Sequence, residues 1–197
     1  MKIILATHNI HKREELIALA GKNLDIEILP DDFPEIPETG NTLDANARMK
    51  ARFVFDRLHQ SALADDTGLE VDALAGAPGV YTARFAGENA TYDDNCRKLL
   101  SVLKGNSNRR AKFVTVICFI DSGGNEHVFE GEVKGNITEE YRGSSGFGYD
   151  PIFEPEEGRG RTFAEMSASE KNSLSHRSRA MAHFLSALPE IAKNGTE

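Results

Sequence analysis

The sequence predicts an α/β protein with a mixed β-sheet flanked by helices. Apolar runs of strand length alternate along the chain with longer stretches of helical periodicity. The first run, Lys2 to Ala6, reads as a short buried strand. Two further strands, Lys112 to Ile120 and Glu126 to Ile137, flank Asp121-Ser122-Gly123-Gly124, a hairpin turn signal.

The other elements follow in order. Thr7 to Lys12 turns into a helix with apolar positions Leu16, Ile17, Leu19 and Ala20, ended by Gly21. Leu24 to Leu29 alternates apolar and acidic residues, as in a half-exposed strand. A proline- and acid-rich loop runs from Pro30 to Gly40. Thr42 to Leu58 is a helix with Leu43, Ala47, Ala51, Val54, Phe55 and Leu58 on one face. Ala62 to Asp66 is a short strand ending in acid, and Gly68 to Arg84 is strand and turn. Tyr92 to Leu103 is a helix. The C-terminal helical region starts at Ser167, where Ser167-x-x-Glu170 forms a capping box, and Met181, Phe184, Leu185 and Leu188 continue an apolar face.

The chain of 197 residues suits one domain, or two closely joined lobes. Its 40% hydrophobic and 27% charged content is ordinary for a globular protein. No apolar run approaches the ~20 residues that cross a bilayer, and the N-terminal run is too short for a signal peptide. Cys96 and Cys118 lack any paired framework, so they read as structural thiols in a cytoplasmic protein. A net charge of −8 argues against a nucleic-acid binder but permits a small phosphorylated ligand neutralised by a few lysines or a divalent cation.

The candidate chemistry lies in four places. Thr7-x-Asn9-x-x-Lys12 stands where a strand hands over to a helix, whose start favours an anion; without the glycines of a Walker loop, it reads as a phosphate cradle or as an ordinary helix start. Asp65 and Asp66 repel one another unless a cation offsets them, and as strand neighbours they point to opposite faces. One of them then reaches a magnesium ion while the other orders a lysine or a water; the plainer alternative is an acidic turn. Glu38 offers a second oxygen ligand, and Asn46 and Lys50, four apart, share one helix face that can meet phosphates. Ser144 to Pro151 combines glycines, the aromatic Phe147 and the carboxylate of Asp150, which suits a planar heterocycle as well as a plain glycine-rich turn. Lys171, His176 and Arg177 cannot share one stripe of a continuous helix, so the helix breaks near Ser173 to Ser175 or only some of them face the site.

In their joint order these motifs resemble the inosine triphosphatase family, the non-canonical purine NTP pyrophosphatases. The resemblance spans nearly the whole chain: Thr7-x-Asn9-x-x-Lys12, Glu38-Thr39-Gly40, Asn46 and Lys50, Ala64 to Leu69, Gly76-x-Pro78-Gly79-Val80-Tyr81-x-Ala83-Arg84, Phe147 to Pro151, Glu170-Lys171 and Ser175-His176-Arg177. His8 and His11 stand where small residues are common, and Thr67 replaces a frequent serine while keeping its hydroxyl. The resemblance implies one domain over residues 1–197, with an elongated mixed sheet and two lobes around a central substrate cleft. It implies a homodimer, and hydrolysis of ITP, dITP and XTP to monophosphate and pyrophosphate, cleansing the nucleotide pool. It implies magnesium, with manganese equally suited to oxygen ligands. Carried over by position, Thr7, His8, Asn9, Ile10, His11, Lys12 and Lys50 hold phosphates. Asp66 is the metal-linked general base, Glu38 a second metal ligand, and Thr67 touches substrate. Phe147, Gly148, Tyr149, Asp150, Lys171, His176 and Arg177 surround the base. Donors such as Arg177 or backbone N–H groups aimed at the 6-keto oxygen would then reject adenine, and Arg177→Ala is expected to weaken ITP use more than pyrophosphate binding.

Rival readings are a pyrophosphatase for another nucleotide such as dUTP, a nucleotide sensor without turnover, and a nucleic-acid-binding module. Adjacent carboxylates disfavour the sensor, and the acidic balance disfavours the module.

Overall fold

A computed structural model describes residues 2–194. Met1 and residues 195–197, which the expected single domain includes, lie outside the described residues. The chain forms β1 (Lys2–Leu5), α1 (Ile10–Ala20), β2 (Asp25–Ile28), α2 (Leu43–Leu58), β3 (Ala62–Val71), β4 (Pro78–Gly79), α3 (Tyr92–Val102), β5 (Arg110–Ile120), β6 (Glu126–Ile137), β7 (Phe153–Pro155), α4 (Ala168–Leu174) and α5 (His176–Asn194). The strand order is β2-β1-β3-β5-β6-β7, with β4 added on β3. β1 runs parallel to β2 and β3, whereas β4 and β7 pair antiparallel with β3 and β6. The sheet is therefore mixed and helix-flanked, as the alternating pattern predicts.

The chain divides into two compact units. One comprises Met1–Asp66, Thr115–Gly131 and Arg177–Glu197; the other comprises Thr67–Val114 and Glu132–His176.

The first unit buries both faces of β1, which is why that strand reads as an almost unbroken apolar run, whereas the edge strand β2 stays half-exposed. Ile3 and Leu5 pack with Leu16 and Ala20 of α1 and with Ala180, Met181 and Phe184 of α5. Ile4 and Ala6 point the other way, toward Ala47, Ala51 and Val54 of α2. The six apolar positions expected on α2 all join that second cluster. On α1 the expectation fails at Ile17, which is 42% exposed: it is one residue, hence about 100°, away from the buried Leu16.

The second unit has its own core, with Leu69, Cys96, Leu99, Phe113, Ile137, Phe153 and Phe163 among its members. The Phe153 and Phe163 rings stack at 5.4 Å, and Phe113 meets Phe153 edge-on at 4.8 Å. Thr91 and Asp94 form a capping box at α3, and Ser167 and Glu170 form the expected one at α4.

One strand departs from the sequence reading. β3 does not end at Asp66 but continues to Val71, because distant side chains compensate its charges. The C-terminal helical region breaks within the expected stretch, at Ser175, whose extended backbone (φ −70°, ψ 158°) separates α4 from α5.

Candidate active site

The first unit gathers Lys12, Glu15, Glu38, Lys50 and Arg177 around the adjacent acids of β3, which the strand sends to opposite faces. The Asp65 side chain is 0% exposed. Its Oδ2 accepts hydrogen bonds from Arg177 Nε at 3.2 Å and Nη2 at 3.1 Å, and lies 3.4 Å from Lys12 Nζ. Arg177 Nη1 donates to Glu15 on α1. Lys12 and Glu15, three apart, share a face of α1.

Asp66 meets different partners. Its Oδ1 accepts from Lys50 Nζ at 2.9 Å and its Oδ2 from Asn46 Nδ2 at 3.2 Å. Lys50 Nζ also donates to Glu38 Oε1 at 2.7 Å. Glu38 and Asp66 thus each place an oxygen within hydrogen-bond reach of one ammonium.

These contacts have electrostatic consequences. Burial alone would raise the Asp65 carboxyl, but the Lys12 and Arg177 charges hold it far below the usual carboxylate range. Burial likewise opposes ionisation of Glu38, and Lys50 overrides it to keep that carboxyl low. For Lys50 burial is outweighed by Asp66 and Glu38, so its ammonium is held above the usual value. For Lys12 burial prevails over Asp65, and its ammonium falls below the usual value. Depressed carboxyls stabilise the fold above their unfolded value of about 4 and lose that contribution as the pH falls through the folded value. The raised Lys50 stabilises below about pH 10.4 and loses its contribution above. Thermal melts should therefore fall as the pH drops below about 4. Replacing Asp65 by Asn should flatten the acid limb.

The expected phosphate cradle is a capped helix start. Asn9 Oδ1 accepts from Lys12 N at 3.2 Å, and Thr7 Oγ1 accepts from Asn9 N at 3.1 Å. Ile10 and His11 form the exposed first turn of α1, at the positive end of its dipole. His8 is exposed, with Nε2 3.3 Å from the Pro34 carbonyl.

The second unit holds the glycine-rich segment. Ser144 N and Ser145 N both donate to the Ala164 carbonyl. Asp150 Oδ2 accepts from Phe147 N at 2.9 Å and from Lys171 Nζ at 2.5 Å. Lys171 Nζ lies 4.7 Å from the Phe147 ring centre and 5.6 Å from that of Phe163. Lys171 and Asp150 are thereby buried against each other, and the half-buried Phe147 ring is propped above the ammonium. Gly148 accepts a contact from Cys96 Sγ at 3.3 Å. The Tyr149 ring is a core member, its hydroxyl donating to the Thr82 carbonyl at 3.0 Å. His176 stacks on Phe113 at 4.8 Å. Thr67 is half-buried on β3.

Gly146 adopts φ +76°, and a Cβ there would lie 2.0 Å from Asp150 Oδ2. Gly146→Ala should dislodge the Asp150–Lys171 pair and destabilise the protein by about 1–3 kcal/mol, measured by urea unfolding.

The candidate residues therefore fall into two groups. Thr7 to Lys12, Glu38, Lys50, Asp66 and Arg177 belong to the first unit; Thr67, Phe147 to Asp150, Lys171 and His176 belong to the second. Arg177, expected beside the base, has its guanidinium on Asp65 and Glu15. Sequence reasoning missed Glu15 and read Gly146 only as one of the glycines that let a backbone approach a ligand; the signals were an acid one helical turn after Lys12, and a glycine four residues before an acid. Burial pushes both cysteine thiols up to about 12, so neither is poised as a nucleophile.

Magnesium takes oxygen ligands, commonly one or two carboxylates plus substrate phosphates and water. Glu38 and Asp66 fit such a shared cation. Among the described residues no three His, Cys, Asp or Glu side chains cluster closely enough to enclose a metal by themselves. Nor is any described helix long and apolar enough to cross a membrane.

The fold and these clusters define a class of α/β protein with close known counterparts. A family model described as the Ham1 family matches residues 3–187. The dITP/XTP pyrophosphatase of Flavobacterium johnsoniae is 44% identical over 190 residues, spanning 95% of this chain and 98% of that protein. That of Porphyromonas gingivalis is 48% identical, spanning 93% and 95%. Among solved structures, the Staphylococcus aureus Ham1 protein aligns with a TM-score of 0.86 at 36% identity, over 96% of this chain and 99% of that one. This chain belongs to the Ham1 family.

Proposed function

We propose that this protein is a magnesium-dependent nucleoside-triphosphate pyrophosphatase. It hydrolyses the non-canonical purine nucleotides ITP, dITP and XTP to monophosphate and pyrophosphate, and so keeps them out of DNA and RNA. The dITP/XTP pyrophosphatases that share 44–48% identity over most of the chain support the substrate class. The observation that carries the chemistry is the sorting of the two acids of β3. Asp65 is fully buried against Lys12 and Arg177, whereas Asp66 keeps 9% of its side chain exposed beside Lys50 and Glu38.

In this reading a water attacks the α-phosphorus and the bond to the bridging oxygen of the diphosphate breaks. Asp66 takes the proton of the attacking water. Glu38 and Asp66 hold the divalent cation, which when bound offsets phosphate charge and polarises the reacting centre. Lys12, Lys50 and the first turn of α1, with Thr7, His8, Asn9, Ile10 and His11, bind the phosphates. The ammonium groups offset the negative charge gathering on the departing pyrophosphate.

Phe147 stacks on the base, and Lys171 with Asp150 hold the Phe147 to Tyr149 loop in place. Thr67 and His176 complete the contacts to the nucleoside. With the Arg177 guanidinium on Asp65 and Glu15, and the Phe147 N–H donated to Asp150, the remaining backbone N–H groups of that loop serve the 6-keto oxygen. Adenine, with an amino group there, leaves them unmatched, and such sites discriminate by roughly 10⁴-fold or more. The protein works as a cytoplasmic homodimer, a single domain of two lobes.

The test is product analysis by phosphorus NMR with magnesium and, separately, ITP, XTP, ATP, GTP and dUTP. Monophosphate and pyrophosphate from ITP and XTP alone are expected. Diphosphate with orthophosphate would move the attack to the γ-phosphorus and remove Asp66 from its assigned place. Turnover of dUTP alone would favour the pyrimidine rival, and binding without turnover a sensor.

A further inference from the structure

The loop carrying Glu38 and the strand carrying Asp66 are joined through one buried amide. We propose that Asn46 is a positioning residue that sets both cation-holding carboxylates at once. The proposal rests on the reading of Glu38 and Asp66 as magnesium ligands.

Asn46 is 2% exposed. Its Oδ1 accepts from Gly40 N at 2.7 Å, and its Nδ2 donates to Asp66 Oδ2 at 3.2 Å. An amide offers an acceptor and a donor from one planar group. Aspartate at this position would set a second carboxylate against Asp66, and leucine would leave both partners unmet. The loop is shaped for the contact. A Cβ on Gly40 would lie 2.8 Å from Asn46 Oδ1 and 2.9 Å from Ala45 Cβ, so a side chain there would force the backbone off the amide.

Lys50, one turn further along α2, takes an oxygen of Glu38 and the other oxygen of Asp66. Lys50 and Asn46 therefore tie the same two segments together by different means. The Lys50 tie is ionic and competes with any cation for the same oxygens. The Asn46 tie carries no net charge, and its loop end falls on backbone rather than on Glu38 itself. It can hold the loop against β3 while Lys50 and a cation contend for the carboxylates. Groups that orient metal-binding side chains commonly matter 10–100-fold in metal affinity.

The test measures Mn²⁺ binding by water-proton relaxation, with ITP bearing an α,β-methylene bridge so that nothing turns over. Asn46→Ala should raise the Mn²⁺ dissociation constant by about 10–100-fold. The metal concentration giving half-maximal ITP hydrolysis should rise in step, and the rate should recover toward wild type at saturating metal. Unchanged Mn²⁺ affinity with a rate depressed at every metal concentration would overturn the proposal and leave Asn46 a structural residue. Gly40→Ala presses the loop off the amide while every residue of α2 and β3, Asn46 included, keeps its own side chain. It is expected to weaken Mn²⁺ binding in the same direction, and it decides the matter should Asn46→Ala fail to fold; unchanged affinity there overturns the proposal. Absence of Mn²⁺ binding in the wild-type protein would instead overturn the cation reading itself.

Discussion

Asp66→Asn should slow ITP hydrolysis roughly 10²–10⁴-fold, the range over which a general base contributes, and leave the fold intact. Of the two neighbouring acids only Asp66 retains exposure, so only it can meet a substrate-bound water without rearrangement of β3. Asparagine has the same shape but cannot take the proton, and it is a poorer cation ligand. Lys50 keeps Glu38 as a partner, so no buried charge is stranded. Steady-state kinetics and a circular dichroism melt are sufficient. Substantial remaining turnover would remove Asp66 from its catalytic role, and a collapsed variant would show that its main work is to hold β3.

Arg177→Met should produce the largest loss of stability. The guanidinium donates to Asp65 and Glu15, and Asp65 has no exposure to recover hydration. Removing one partner of a buried ion pair costs about 3–5 kcal/mol. At about 2–4 °C per kcal/mol for a chain of this size, the melting point should drop by roughly 6–20 °C. Methionine preserves bulk, so the loss reports charge more than a cavity. Asp65→Asn in the same chain should return part of it, because the buried carboxylate that lost the guanidinium is then gone. An unchanged melting point with a raised KM for ITP would return Arg177 to the base-binding role that the motif suggests.

The pairing of Arg177 with Asp65 and Glu15 marks where the sequence stops being legible. Periodicity placed the α2 face, the hairpin and the α4 capping box, because each depends on neighbours a few residues apart. The opposed faces of Asp65 and Asp66 followed from strand geometry. The partners did not, since Arg177 lies 112 residues beyond Asp65 and no local pattern joins them. For the same reason β3 was expected to end at its acids, where ion pairs from α1, α2 and α5 let it continue. Asn9 looked like a phosphate donor and also caps α1. Tyr149, adjacent to Phe147 and Asp150 in the motif, spends its ring in the core.

The break at Ser175 has a practical consequence for exchanging parts between relatives. His176 and Arg177, neighbours in one motif, belong to different compact units, and the second unit consists of two insertions, Thr67–Val114 and Glu132–His176, in the chain of the first. Grafting those two insertions from a relative would transplant the Phe147 and Lys171 surroundings entire, while Lys12, Lys50 and Asp66 kept their native neighbours in the first unit. The seam falls between two consecutive residues, so a chimera cut at the ends of the motif would carry Arg177 into the wrong half and separate it from its own Asp65.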